Sequence, residues 1–102
     1  MTRAHWPITS RSEAQAEREI LWYLQLRGIL AWPTHGPRNR PVVPGMPDIV
    51  GVLSDGSMIA IEVKSEGGKL SKQQEQFHEQ LLDHNVRVIV ARSIDDIIQA
   101  GL

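Results

Sequence analysis

Hydrophobic and polar positions follow two rhythms along this chain. Between Ser10 and Arg27 the apolar residues Ile20, Leu21 and Leu24 recur at helical spacing and Gly28 follows, which predicts a first helix with one buried stripe. Ser10 with Glu13, or Ser12 with Gln15, is placed to form its capping box. "ILAWP" predicts a short strand, and Pro33 assigns it to a sheet edge or a strand end. "THGPRNRPVVPG" is too rich in Pro and Gly to be anything but a loop. Asp48 to Leu53 and Ser57 to Lys64 then predict a hairpin of two strands around "SDG". After the loop "SEGGKL", Ser71 and Gln74 form a second capping box, and a helix runs to about His84 with Phe77, Leu81 and Leu82 as its packed face. "VRVIVAR" predicts a buried strand, and Ser93 with Asp96 caps a last short helix, "IDDIIQAG".

The order is αβββαβα. The last strand follows a helix, so it returns parallel to the strand ending at Lys64 through a right-handed crossover. The expectation is an α/β domain with a mixed sheet of about four strands flanked by helices. The chain has 102 residues, which makes a single domain over 1–102 the natural reading. There is no repeat, low-complexity tract or linker.

Composition removes several classes. With no cysteine, a disulfide framework and a thiolate metal site are both excluded. No apolar run approaches a membrane span, and "MTRAHWPITSRSEAQ" has no apolar signal core, so the expectation is a cytoplasmic protein without a membrane partner. A formal net charge of −1 is low for a dedicated nucleic-acid binder, so any nucleic-acid reading rests on local arrangement.

Local arrangement singles out the hairpin. Side chains alternate along a strand, so Ile59, Ile61 and Val63 share one face of "SMIAIEVKS" while Ala60, Glu62 and Lys64 share the other. Glu62 and Lys64 are either a solvated rim or part of a site. Asp48 decides between these through register. A three-residue loop, Ser54-Asp55-Gly56, pairs Leu53 with Ser57 and sets Asp48 opposite Glu62. A two-residue turn on Asp55-Gly56 sets Asp48 opposite Val63, on the wrong face. Two carboxylates side by side repel unless they share a divalent cation, and Mg²⁺ takes one or two carboxylates and keeps waters for the remainder. A lysine beside them can position a nucleophilic water or stabilise charge on phosphorus. Glu17 sits one turn before Ile20 and Leu21 on the apolar stripe; it lies at the stripe's edge and reaches solvent, or it turns inward to the same cation.

"MPD", then "IEVK", with "EREI" on the helix before and "LSKQQEQF" after, resembles the PD-(D/E)XK nuclease superfamily, and more narrowly a stand-alone VRR-NUC domain. The small archaeal Holliday-junction resolvases are also similar. The resemblance runs from about Glu13 to Ile98 and implies a restriction-endonuclease-like fold. It implies that Asp48, Glu62 and the backbone carbonyl of Val63 hold Mg²⁺ or Mn²⁺, that Lys64 is the catalytic lysine, and that Glu17 reaches the metal directly or through water. Glu13, one turn earlier, is the alternative to Glu17. Gln74 matches a glutamine near the substrate phosphate or the lysine, a role compatible with its capping box. Many relatives carry an arginine where Pro44 stands; Arg38 or Arg40 could substitute, and Lys69 and Lys72 flank the second loop as further DNA contacts.

The implied activity is metal-dependent endonuclease cleavage of branched DNA, four-way junctions first and flaps or nicks next. Cutting a four-way junction symmetrically takes two active sites, hence a two-fold homodimer. A DNA-binding or assembly module that has lost activity is the alternative, and no residue separates DNA from RNA. His5, His35, His78 and His84 show no ligand spacing and receive no role, and Trp22 and Trp32 are assigned to core or interface.

Overall fold

The computed structural model describes residues 12–36 and 43–102. The elements are α1 (Glu13–Leu26), β1 (Leu30–Pro33), β2 (Ile49–Val52), β3 (Met58–Val63), α2 (Lys72–Asp83), β4 (Arg87–Ala91) and α3 (Ile94–Gln99). One sheet of four strands runs β1-β2-β3-β4, antiparallel up to β3 and parallel between β3 and β4. The αβββαβα order and the mixed sheet are as predicted. Helix α2 makes the crossover that a parallel return requires.

The hairpin takes the three-residue loop. The Leu53 N–H donates to Ser57 O at 2.9 Å, and Gly56 occupies the left-handed region at φ 88°. Asp55 Oδ1 accepts from both the N–H and the hydroxyl of Ser57, which tightens the turn. The ladder pairs Ile49 with Ile61 and Gly51 with Ile59, and the same count carries Asp48 to Glu62.

Strand β3 is covered on both faces. On one, Ile49, Ile59, Ile61, Val63, Ile89 and Ala91 meet Ala16, Ile20 and Leu24 of α1 and Ile97 of α3, forming the main core. The stripe on α1 is Ala16, Ile20, Leu24, spaced at i, i+4, i+8; Leu21 is only partly buried. On the other face α2 lies over the Glu62 end of β3. The rest of that face, towards β1, leaves Leu30 67%, Trp32 43% and Met58 43% exposed.

Several details correct the sequence reading. Ser12, not its partner residue as well, makes the first cap: its hydroxyl accepts the Gln15 N–H at 3.1 Å, while the Gln15 side chain turns along the helix towards Glu19. The alternative cap on Ser10 lies outside the described residues. Trp22, like Trp32, is exposed and so is no core residue. Leu82 is 57% exposed because the buried position on α2 is His78, with Phe77 and Leu81 half-buried beside it. Strand β4 is an edge strand, so Ile89 and Ala91 are buried but Arg87 is exposed. Ser93 makes no side-chain cap; Asp96 instead reaches back to accept the Arg92 N–H at 2.8 Å. Among the described residues no helix is long and apolar enough to cross a membrane.

Candidate active site

The site begins where the β2–β3 ladder stops. Hydrogen-bonded pairs alternate along an antiparallel ladder, so after Ile49–Ile61 the next rung would join Val63 to Pro47. Strand β1 takes that backbone instead: the Thr34 hydroxyl donates to Pro47 O at 2.6 Å, and the Thr34 N–H donates to Asp48 O at 2.9 Å. The Val63 N–H then donates to Asp48 Oδ2 at 2.7 Å. A side-chain oxygen stands in for the lost backbone acceptor, and this holds the Asp48 carboxylate at the end of the sheet. Gly45 keeps the preceding turn close to α2. At φ 84° it is left-handed, and a Cβ there would come within 2.6 Å of Gln73 O.

On the α1 side of Asp48 lies an open cleft of about 130 Å³, lined by Glu13, Ala14, Glu17, His35, Asp48 and Val63. His35 Nε2 stands 2.8 Å from both carboxylate oxygens of Glu17. One ligand atom from each of Glu17, His35 and Asp48 lies within 4.8 Å of the other two. The hydrogen bond to Glu17 holds the His35 ring above the usual imidazole range, against the opposing effect of burial. Glu13 Oε2 accepts the Ser65 N–H at 3.2 Å, so Glu13 and Glu17 both border the cleft.

On the α2 side, Glu62 is 1% exposed. Its Oε1 lies 3.0 Å from His78 Nε2, and its Oε2 accepts from Gln74 Nε2 at 3.2 Å. Burial, reinforced by the neighbouring Asp48 carboxylate, pushes its pKa up to about 8, with Lys64 opposing the shift. Burial, together with the Lys64 charge, lowers that of His78. Gln74 serves two roles at once. Its amide oxygen accepts the Ser71 N–H at 2.9 Å and closes the capping box, while its amide nitrogen holds Glu62. Lys64 is half-buried beside Glu62 and His78, and among the described residues its amine has no hydrogen-bond or ion-pair partner.

Asp48, Glu17, Val63, Glu62, Gln74 and Lys64 therefore adjoin one another. Glu62 does not share the Glu17–His35–Asp48 grouping; Asp48 stands between the two halves. Lys69 and Lys72 are exposed after the turn that the Gly68 N–H closes on Ser65 O, and Arg38 and Arg40 lie outside the described residues. Two histidines that were assigned no role, His35 and His78, belong to the site. His78 carried a local signal, since it follows Gln74 by four residues and so shares its helix face. His35 carried none, because its partners come from α1 and from the turn into β2. Two carboxylates and an imidazole opening on a cleft fit a divalent cation.

A sequence profile of the VRR-NUC domain matches residues 2–95. The chain belongs to the VRR-NUC domain family. A solved structure described as a VRR_NUC domain superposes with a TM-score of 0.70 at 23% identity, covering 85% of this chain and 90% of that one. No curated protein matches the chain. The family is of nuclease type and consistent with the PD-(D/E)XK superfamily, and the mixed sheet flanked by helices is the fold that the solved relative shares.

Proposed function

We propose that this VRR-NUC domain is a metal-dependent endonuclease that hydrolyses phosphodiester bonds in branched DNA, four-way junctions first, as a homodimer. The observation that carries this reading is Asp48, held by the Val63 N–H between Glu17 in the cleft and Glu62 beneath α2, with the Lys64 amine alongside. A cation held by Asp48 and its neighbours supplies Lewis acidity and charge neutralisation at the phosphate.

The chain's own residues set the remaining chemistry. Val63 fixes the orientation of Asp48, and Gln74 and His78 fix that of Glu62, so neither carboxylate reorganises as substrate arrives. Lys64, close enough to Glu62 and His78 for its charge to act on both, orients a water and stabilises the charge that builds on phosphorus. The water gives up a proton as its oxygen forms the new bond to phosphorus, the bond from phosphorus to the departing deoxyribose oxygen breaks, and that oxygen takes up a proton. Lys69 and Lys72, with Arg38 and Arg40 from the loop ahead of Asp48, bind the DNA backbone. A second copy would supply the second cut at a junction, and the exposed Leu30, Trp32 and Met58 leave apolar surface for it.

A cleavage panel tests the reading: single strand, duplex, flap and four-way junction, each with Mg²⁺ or Mn²⁺, alongside sedimentation of the free protein. Metal-dependent cutting of the junction by a dimer is expected. A monomer at micromolar concentration removes the junction preference, and wild-type rates in both Asp48→Ala and Lys64→Ala remove the site. Binding to branched DNA without cutting would instead mark an inactive assembly module.

A further inference from the structure

The carboxylates of this site are what a Mg²⁺ enzyme needs; the imidazole among them is not. His35 comes from the segment after β1, Glu17 from α1 and Asp48 from the turn into β2, so three separate elements converge on one cleft. His35 Nε2 lies 2.8 Å from each Glu17 oxygen. Donors at neighbouring corners of an octahedral ion with bonds of about 2.1 Å stand about 3 Å apart, and donors at opposite corners about 4.2 Å apart. The Glu17–His35 separation matches the first spacing, and Asp48 brings a ligand atom within 4.8 Å of both, near enough for the three to share one ion. The three side chains are thus already spaced for one coordination sphere, with the cleft leaving room for water or a phosphate oxygen at the remaining corners.

Resting on the metal-dependent reading above, we propose that His35 is a direct nitrogen ligand of the cleft's cation and makes the site select Mn²⁺, Co²⁺ and Zn²⁺ over Mg²⁺. Oxygen donors alone suit Mg²⁺, whereas an imidazole nitrogen adds strength only with transition ions. A simple ion pair with Glu17 does not account for Asp48 within 4.8 Å of both.

The test uses the full chain carrying Lys64→Ala, which stops cleavage and leaves the ligands in place. Pulsed EPR of bound Mn²⁺ reads nitrogen coupling directly, and calorimetry reads Co²⁺ and Mg²⁺ affinity. Nitrogen coupling is expected, and adding His35→Ala should abolish it and weaken Co²⁺ binding by about tenfold or more while Mg²⁺ changes by less than about threefold. His35→Gln keeps a hydrogen-bonding amide against Glu17 and should also lose the coupling, which separates ligation from mere packing; circular dichroism checks that both variants fold. Bound Mn²⁺ without nitrogen coupling, coupling that survives His35→Ala, or equal weakening of Co²⁺ and Mg²⁺ overturns the proposal. A wild-type chain that shows the coupling yet cuts no DNA with any ion keeps His35 as a ligand and overturns the nuclease reading instead. A chain that binds no divalent ion overturns both.

Discussion

Glu17 with His35 in the cleft, and Glu62 with His78 beneath α2, are the same two residue types at 2.8 and 3.0 Å. Their chemistry diverges. The outer pair keeps 14% and 16% of its side-chain surface exposed, and Glu17 raises the pKa of His35. The inner pair keeps 2% and 8%; burial lowers His78 and pushes Glu62 up to about 8. Pairing a carboxylate with an imidazole therefore does not by itself make an ion pair. Residual hydration decides whether charge is kept, because an ion stripped of water must be repaid in full by its partner. Asp48 joins the two halves: one side suits a cation exchanging with solvent, the other suits a fixed, hydrogen-bonded support.

The largest expected effect comes from removing what the halves share. Asp48→Ala should lower cleavage by at least about a hundredfold while DNA binding persists, as read by gel assays of cutting and shift, since it deletes a ligand of the cation proposed to act on the phosphate. Next comes the pH dependence of the inner pair. A carboxyl whose folded pKa is raised from 4.5 to about 8 binds more protons folded than unfolded between those values, so its contribution to stability falls as pH rises through that window. Metal-free urea unfolding should show a loss of up to a few kcal/mol from pH 5 to pH 8, at about 1.4 kcal/mol per pKa unit. Glu62→Gln should flatten it; an unchanged slope would break the contrast between the pairs.

Smaller effects sharpen the comparison. His78→Leu leaves a buried Glu62 oxygen without its hydrogen-bond partner and should cost about 1–3 kcal/mol in chemical denaturation. His35→Ala, at the solvated pair, should cost less than about 1 kcal/mol. The finest test is an NMR titration of the metal-free protein. His35 should titrate above 6.5 and His78 below it. The signs then oppose: His35 adds stability at low pH that is lost as pH rises through its folded pKa, whereas the penalty of burying His78 appears as pH falls below 6.5. Both rings titrating on the same side of 6.5 would erase the distinction.

Much of this was legible along the chain because it depends on neighbours in sequence. Ser71 and Gln74 close a capping box within one turn of helix. Around Asp55-Gly56 the sequence narrowed the hairpin to two registers; the structure takes the loop Ser54-Asp55-Gly56, and period-two alternation then carries Asp48 opposite Glu62. Only the tertiary structure put His35 against Glu17, turned His78 rather than Leu82 towards the sheet, and left Trp22 and Trp32 exposed. It also divided the acidic residues between a wet cleft and a dry support. Local pattern assigns a residue to a helix or strand and to one of its faces. Which element covers that face, and how much water stays there, depends on segments far away in sequence, and water content is what sets the charge of a carboxylate or an imidazole.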